Sequence, residues 1–289
     1  MKALINIRTP LFATVFLLAS ACFPDESVTA PVKTYPTSDD PLDVYIQTNF
    51  LDRYGVAVRY QYVDRYVDIN KRVTPPRKEL VQPMLEFLTD FWIDPFVEVP
   101  NGQKFFEDHV PAEIVFIGST IYNADGTVTL GTADAGARIT LSEVNDIDEE
   151  NLNWVFRQLG TIYHEFAHIM HQRYNLPPSW QQISPQGYTS LGSWYNLTDE
   201  EALQRGFVSP YGTSTFNEDF AEVVAHLLFE PEFYEKYIND EVGCTTSDCD
   251  ARNEGRAKLR RKYNAVLAHY EQYVGVDLLA VRAIIQAKL

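Results

Sequence analysis

The sequence predicts an α+β protein in which a mixed sheet precedes a long helix and a mainly helical carboxyl-terminal half. Apolar runs at Val56–Tyr62, Glu113–Gly118 and Ala137–Leu141 have the alternating or continuous pattern of strands. A long segment with helical spacing begins at about Asp148, and most of the chain after Asp199 keeps that spacing. Without an internal repeat, this order of elements favours one α+β domain with its own core.

The smaller elements have local signals of their own. Gly55 separates a first helix from the first strand, and the turn residues of Asn123–Thr127 predict a hairpin that leads into a strand at Val128–Leu130. No apolar run is long enough for a transmembrane helix. The other helices that the spacing predicts are Asp43–Tyr54, Arg77–Phe91, Ala251–Tyr273 and Leu278–Ala287.

The amino terminus has the order of a secretory signal peptide over residues 1–21. A basic start, Met1–Arg8, precedes the apolar run Leu11–Leu18 and the small residues Ala19–Ala21. Because these small residues stand directly before Cys22, the segment resembles a bacterial lipoprotein signal, in which the cysteine becomes the lipidated first residue. Ordinary cleavage that leaves Cys22 free is the alternative, yet an unpaired cysteine is unusual in a secreted chain. We therefore expect a lipid anchor rather than a membrane span.

Residues 22–40 are rich in Pro, Ser, Thr and charged residues and have no apolar period, which is typical of a flexible tether. Within this tether, Asp25-Glu26 resembles the export signal that sends lipoproteins of Bacteroidetes-type bacteria to the outer surface. The domain then covers residues 41–289, with a sheet-containing part at 41–147 and a mainly helical part at 148–289. Its length is sufficient for a large hydrophobic core.

The composition excludes two broad classes of protein. Hydrophobic residues make up 45% of the chain and aromatic residues 13%, which excludes a disordered protein. A net charge of −16 excludes ordinary nucleic-acid binding, because phosphate recognition needs a basic face. In an oxidising compartment, Cys244 and Cys249 are expected to form a disulfide that closes a surface loop. Half of a thiolate metal site is the alternative, but the chain has no second pair of ligands for it.

The predicted long helix contains the pattern H-E-x-x-H at residues 164–168. His164 and His168 lie on one side of the helix, about 6 Å apart along its axis, so both can bind one zinc ion while Glu165 acts as a base. Solvated or core histidines are the alternative, which a pair with an intervening glutamate disfavours. His171 belongs to the same polar stripe, which lies beside an apolar stripe formed by Leu152, Val155, Leu159, Ile162, Phe166 and Ile169.

The third metal ligand is expected on a helix that begins at Phe216. In gluzincins this ligand is a glutamate on a downstream helix, and a second acid four residues later orients a zinc-bound histidine. Glu218 and Glu222 resemble that pair, and Glu222 as the ligand itself is the alternative. The metzincin ligand set is excluded, since it needs Gly seven and His ten residues after the first motif histidine, where this chain has His171 and Tyr174. A supporting, substrate-contact or capping role stays open for His171.

Tyr211 lies seven residues before Glu218, which resembles gluzincins of the anthrax-lethal-factor type, where a tyrosine at this offset assists at the scissile carbonyl. An aromatic loop anchor is the alternative. The lipoprotein signal, H-E-F-A-H-I-M-H-Q, G-F-V-S-P-Y and E-D-F-A-E together resemble the substrate-import-associated zinc metallohydrolase lipoproteins, a group of zinc-binding metallopeptidases of Bacteroidetes. The resemblance implies a zincin-like fold, a surface-exposed position on the outer membrane and association with a nutrient importer of the starch-utilisation type.

The sequence therefore predicts a gluzincin-like zinc metallopeptidase that hydrolyses peptide bonds at the cell surface. Glu165 would accept the proton of the attacking water, and Tyr211 would stabilise the oxyanion. A substrate-binding lipoprotein without catalysis and a hydrolase of non-peptide amides are the alternatives, of which the intact base disfavours the first. The loop Pro177–Asn196, rich in aromatic residues, is expected to shape the cleft. Three ligands would hold one Zn²⁺ and leave a fourth position open for water: His164, His168 and Glu218.

Overall fold

A computed structural model describes residues 38–68, 70–123, 126–134, 137–189 and 192–289. Residues Asp39–Leu289 form one compact unit. The predicted signal peptide, Cys22 and most of the predicted tether lie outside the described residues. In the part of the chain that is described, no helix is both long and apolar enough to cross a bilayer.

The strands among these residues are β1 Ala57–Arg59, β2 Glu113–Phe116, β3 Ile121–Tyr122, β4 Val128–Thr129, β5 Gly131–Asp134 and β6 Arg138–Leu141. Four of them form one sheet in the order β1-β2-β6-β5. β1, β2 and β6 are parallel, whereas β5 runs antiparallel to β6 at the edge. β3 and β4 form a separate antiparallel hairpin. The predicted mixed sheet is therefore confirmed.

Burial explains which strands have a visible sequence pattern. The central strands β2 and β6 read as continuous apolar runs because both of their faces are covered, and Ile114 and Ile139 are fully buried. The edge strand β5 reads G-T-A-D and has no apolar alternation, so the sequence pattern does not predict it. The predicted strand Val128–Leu130 is divided between β4 and the residue before β5. Residues 124 and 125 of the predicted hairpin turn lie outside the described residues.

The α-helices of the described chain are α1 Pro41–Ile46, α2 Asp52–Tyr54, α3 Lys78–Leu88, α4 Asp94–Val97, α5 Gly102–His109, α6 Leu152–Tyr174, α7 Asp199–Arg205, α8 Phe216–Phe229, α9 Ser247–His269 and α10 Leu278–Gln286. π-Helical turns extend or join them at Gln47–Leu51, Thr89–Ile93, Tyr234–Ile238 and Tyr270–Val274. Short 3₁₀ turns lie at Asp64–Tyr66, Val144–Asp146, Trp180–Gln182, Trp194–Asn196 and Tyr211–Thr213. The predicted helical carboxyl-terminal half is confirmed, whereas α5 is not predicted by the apolar spacing.

Helix α6 is the long helix that the sequence predicts from about Asp148, but it begins four residues later. Asn151 caps it, because the Asn151 side chain accepts a hydrogen bond from the backbone N–H of Asn153 at 3.1 Å. The predicted apolar face is buried except at Leu152, which is exposed in the first turn. This cap defines where the helix starts.

Helix α6 packs against the sheet and against α8. Ala221 and Ala225 of α8 are small and buried, which lets the two helices approach closely. On another face of α6, the ring of Phe166 meets the rings of Trp92 and Phe96 edge to face, with centroids 5.4 Å and 5.2 Å away. These contacts fix the rotation of α6 and therefore the direction in which its polar stripe faces.

Candidate metal centre

Helix α6 presents the two motif histidines from one side. His164 and His168 are one helical turn apart, and their Nε2 atoms are 3.0 Å apart. The two rings meet at 84°, with centroids 4.6 Å apart. His164 is buried and His168 is partly exposed. Both Nε2 atoms therefore converge on one place beside the helix.

Helix α8 brings a carboxylate to the same place. Thr215 caps α8 by accepting a hydrogen bond from the backbone N–H of Glu218 at 3.2 Å, which sets Glu218 in the first turn. Oε2 of Glu218 is 3.0 Å from Nε2 of His164 and 3.1 Å from Nε2 of His168. Of the two glutamates that the sequence leaves open as the third ligand, Glu218 is the one that completes this triangle.

The triangle of two nitrogens and one oxygen fits a single zinc ion. Zinc binds histidine nitrogen and carboxylate oxygen at about 2.0–2.2 Å in tetrahedral sites, which separates neighbouring ligand atoms by roughly 3.3 Å. The sides of 3.0–3.1 Å are close to that separation. Three protein ligands leave one tetrahedral position open, as in catalytic rather than structural zinc sites.

Glu222 lies one turn after Glu218 on α8 and binds the other nitrogen of His164. Its Oε1 is 2.8 Å from Nδ1 of His164. When the neutral imidazole donates its Nδ1 N–H to this carboxylate, its lone pair lies on Nε2, which faces the metal position. The Ser209 hydroxyl donates to Oε2 of Glu222, and its oxygen accepts from the backbone N–H of Gly212 at 3.1 Å. Ser209 lies within the motif G-F-V-S-P-Y, but nothing in that pattern predicts its contact with Glu222.

His171 supports the second motif histidine. Its Nε2 is 2.7 Å from Nδ1 of His168. Burial, and then the electrostatic effect of the neighbouring His168, lower the pKa of His171 to about 4. A neutral His171 accepts the N–H of His168, which leaves Nε2 of His168 available for a metal. Among the roles that the sequence leaves open for His171, the structure places it in support of a ligand.

Negative charge dominates the centre. Burial alone would lower the pKa of His164, but its hydrogen bonds to Glu218 and Glu222 outweigh burial and raise the pKa to about 10. Burial would raise the pKa of Glu218, but its hydrogen bonds to the two histidines lower the pKa to about 2. Hydrogen bonds likewise outweigh burial at Glu222 and lower its pKa. Ionised carboxylates around two imidazoles match a divalent cation in charge as well as in geometry.

The two residues predicted to assist the chemistry border the same place. Glu165 is buried beside His164 and lines a cleft that opens on the centre. The ring of Tyr211 lies on the other side, with its centroid 5.7 Å from that of His164 and 5.0 Å from that of Trp194. Burial, and then the charges of nearby carboxylates, raise the pKa of Tyr211. Its phenol therefore stays protonated and able to donate a hydrogen bond.

The cleft has a volume of about 470 Å³. It lies between α6, α8 and the start of the edge strand β5. A Cβ at Gly131 of β5 would come within 2.4 Å of the Thr161 side chain, so glycine allows the edge strand to lie this close to α6. The loop that the sequence predicts to shape the cleft contributes Gly192, Trp194 and Tyr195.

A buried ion pair anchors the start of α8. Asp219, next to Glu218, and Lys262 of α9 are both fully buried, and their Oδ1 and Nζ atoms are 2.7 Å apart. Lys262 also donates to the backbone oxygen of Gly206 at 2.7 Å, and the Tyr188 hydroxyl donates to Oδ2 of Asp219 at 2.8 Å. Sequence reasoning misses this pair, because a lysine on an amphipathic helix normally faces solvent.

A disulfide joins Cys244 and Cys249, whose Cα atoms are 5.4 Å apart. It connects the loop before α9 to the first turn of that helix. Neither cysteine is among the described residues that line the cleft. The remaining predicted site residue, Cys22, lies outside the part of the chain that the structure describes.

Two histidines and a glutamate that converge beside a cleft are the ligand set of zinc metallopeptidases such as thermolysin. The chain belongs to the family described as "Putative zinc-binding metallo-peptidase", whose sequence model matches residues 35–279. This match confirms the resemblance to such peptidases. No curated protein matches the chain.

Among solved structures, the fold is similar to that of "a putative zinc-binding metallo-peptidase from Bacteroides caccae". The TM-score is 0.66, and the match covers 86% of this chain and 93% of that chain. The two sequences are 24% identical over the match, so the similarity concerns the fold. Most of the described domain therefore shares its architecture with that protein.

Proposed function

We propose that the protein is a zincin-like metallopeptidase of the gluzincin type, which uses one Zn²⁺ to hydrolyse peptide bonds. The triangle formed by ligand atoms of His164, His168 and Glu218, with sides of 3.0–3.1 Å, carries this proposal. Each histidine is oriented through its Nδ1, one by Glu222 and the other by His171, which is the support that a tight metal site requires. A purely structural zinc would need neither an open position nor a glutamate base in a cleft.

The residues around the centre supply the proton transfers and the oxyanion contact. Zinc at this site provides Lewis acidity, which activates water and polarises a carbonyl oxygen. The Glu165 carboxylate takes a proton from the attacking water and delivers it to the leaving amine nitrogen. Tyr211 donates its hydroxyl hydrogen to the oxygen that gains negative charge as the carbonyl carbon becomes tetrahedral. The raised pKa of Tyr211 suits this task, since a phenolate could not donate.

The edge strand favours a peptide over other amides. β5 pairs with β6 on one side, and its first residue, Gly131, borders the cleft beside α6. An extended peptide can add to the edge of a sheet through main-chain hydrogen bonds, so an edge strand that begins at the cleft suits a polypeptide substrate. A hydrolase of small non-peptide amides would gain little from this arrangement.

We also place the protein on the outer membrane as a surface-exposed lipoprotein near a nutrient importer. The signal pattern at 1–21, Cys22 and the acidic pair Asp25-Glu26 support the anchor and its position. The importer association rests on the family resemblance alone.

The variant Cys22→Ser tests the lipid anchor. It should move the protein from the membrane fraction to the soluble fraction, and retention in the membrane fraction would refute the anchor.

The proposed function is tested by measuring zinc content and peptide cleavage in three forms of the protein. The wild type should bind one zinc ion and cut members of a mixed peptide library. Glu165→Gln should keep the zinc and lose about 10²–10⁴-fold in kcat, because it cannot accept the proton. His168→Ala should lose both zinc and activity. Full activity in Glu165→Gln, or no cleavage by the zinc-loaded wild type, would refute the proposal, and the latter result would favour a binding protein.

A further inference from the structure

Arg157 places a permanent positive charge in the cleft. It lies on α6 seven residues before His164, which is two helical turns and about 10 Å along the axis on the same side of the helix. Among the described residues that line the cleft, Arg157 is the single lysine or arginine, and Glu165 and Glu222 line the same cleft. In a chain with a net charge of −16, a cation at this position is a local exception.

Arg157 is held by a residue in an unusual backbone conformation. The Nε group of Arg157 donates to Oε2 of Glu143 at 3.1 Å, and the other oxygen of the Glu143 carboxylate accepts from the Thr120 hydroxyl at 2.9 Å. Glu143 is buried and has φ 63°, ψ 24°, a left-handed conformation that is strained for a residue with a Cβ. The surrounding structure therefore fixes the Glu143 carboxylate, and the carboxylate fixes the guanidinium.

This arrangement leaves the outer end of the guanidinium available. The Arg157 side chain is 44% exposed, and its two Nη groups have no hydrogen-bond partner among the described residues. A guanidinium end presents two parallel N–H groups, which match the two oxygens of a carboxylate. Holding Arg157 through Nε thus orients a carboxylate-binding fork in advance.

Apolar surface lies beside this fork. Phe156 and Phe229, whose rings are 6.0 Å apart, line the same end of the cleft. A Cβ at Gly160 would be 3.4 Å from the Phe229 ring, so the aromatic ring covers the helix backbone between Arg157 and His164. Because apolar walls lower the local dielectric constant, they strengthen an ionic hydrogen bond formed next to them.

We infer that Arg157 recognises a carboxylate of the peptide substrate, an inference that rests on the proposed peptidase function. The carboxylate can be a free carboxyl terminus or the side chain of Asp or Glu. An extended peptide rises about 3.3 Å per residue, so a distance of about 10 Å corresponds to roughly three residues from the bond that is cut. The carboxylate that Arg157 binds should therefore lie about three residues from the bond that is cut.

The test uses N-acetylated hexapeptides in matched forms: free carboxyl terminus, carboxyl-terminal amide, and amide with one Glu at each position in turn. Binding is measured calorimetrically with zinc-loaded Glu165→Gln protein, and cleavage with the zinc-loaded active protein. Peptides with a suitably placed carboxylate should bind about 10–100-fold more tightly than amides, and Arg157→Met should remove this preference while leaving amide binding unchanged. The two carboxylate sources separate by whether the free terminus or an internal Glu gives the gain.

Two further variants separate recognition from folding. Arg157→Met leaves the buried Glu143 carboxylate without its cation, so Glu143→Gln with Arg157→Met is made in parallel, which removes both charges and keeps an acceptor for Thr120. Arg173→Met is the control on the same helix, since Arg173 contacts the backbone of Asp108 and does not line the cleft. Its carboxylate preference should match that of the wild type.

The outcomes distinguish this inference from the proposed function. The role of Arg157 is overturned by a carboxylate preference that persists in the double variant. It is also overturned if the zinc-loaded Glu165→Gln protein binds acid and amide peptides equally, or binds no peptide. Carboxylate-dependent binding without any cleavage by the wild type refutes the peptidase function and retains the binding site. Cleavage without a carboxylate preference supports the peptidase function and refutes the role of Arg157.

Discussion

Replacing Lys262→Met tests whether the buried ion pair holds the metal-bearing helix in place. Methionine keeps most of the apolar stem but removes the ammonium group that lies 2.7 Å from the Asp219 carboxylate. Asp219 then remains fully buried with the Tyr188 hydroxyl, 2.8 Å away, as its remaining side-chain partner. Removing one member of a buried pair costs about 3–5 kcal/mol, because the other charge stays uncompensated.

This cost should be visible by heat and by denaturant. For a domain of this size each kcal/mol shifts Tm by about 2–4 °C, so Lys262→Met should melt roughly 6–20 °C lower. In urea, the free energy of unfolding should fall by about 3–5 kcal/mol with an unchanged slope. Asp219→Asn combined with Lys262→Met removes both charges and keeps an acceptor for Tyr188, so the double variant should recover most of the loss.

A surface pair provides the matched control. Lys104 is 80% exposed and lies 2.8 Å from Asp108, so Lys104→Met should leave the free energy of unfolding close to the wild-type value. Asp219 is next to the ligand Glu218 in the first turn of α8, so loss of the ion pair should disturb the position of that ligand. Lys262→Met should therefore also bind zinc more weakly in chelator competition, measured at temperatures where the variant is fully folded. A loss of less than about 1 kcal/mol in Lys262→Met, or a double variant that is less stable than the single one, would show that the ion pair does not hold α8 in place.

Three further predictions concern the centre itself. His171→Phe should weaken zinc binding about 10–100-fold in chelator competition, because the N–H at Nδ1 of His168 loses its acceptor. His171→Gln should lose less zinc affinity, since glutamine provides an acceptor. Tyr211→Phe should lower kcat by about 10²–10³-fold, with zinc content and KM near the wild-type values. In zinc-free protein, the pKa of His164, raised from 6.5 to about 10, stabilises the fold fully below pH 6.5, and this contribution is lost as the pH rises through 10. Thermal stability should therefore fall over that range in EDTA and vary less with zinc bound. Unchanged zinc affinity in His171→Phe would contradict the first prediction, and unchanged kcat in Tyr211→Phe the second. A thermal stability of the zinc-free protein that does not vary with pH would contradict the third.

The sequence predicts the histidine pair and its helix because both depend on local spacing. A helical period fixes the face that His164 and His168 share, whatever the rest of the fold does. Glu218 lies 54 residues after His164, and no period relates the two positions. The prediction of Glu218 as a ligand depends on the family resemblance, and so does the prediction of Glu222 as the residue that orients His164. Ser209 belongs to the motif G-F-V-S-P-Y, but its contact with the Glu222 carboxylate depends on the fold and cannot be predicted from that motif.

The sequence pattern does not predict features whose packing leaves no apolar alternation in the sequence. β5 lies against α6 through the close approach of Gly131, and a strand of this kind carries no period-two pattern. Lys262 is missed for a related reason, since burial of a charge becomes favourable only where the fold supplies Asp219 and a carbonyl oxygen. Both features depend on partners distant in sequence, which local reasoning cannot supply.

The two ligand histidines are oriented by chemically different groups, and the difference follows from the charge of the centre. His164 donates to a carboxylate, whereas His168 donates to the neutral imidazole of His171. With the base Glu165, the ligand Glu218 and Glu222 ionised, a divalent ion leaves one negative charge in the centre. A second orienting carboxylate would add another buried negative charge next to the base and raise the cost of its ionisation. An imidazole one helical turn away satisfies Nδ1 of His168 without that cost, which accounts for a third histidine in the polar stripe of α6.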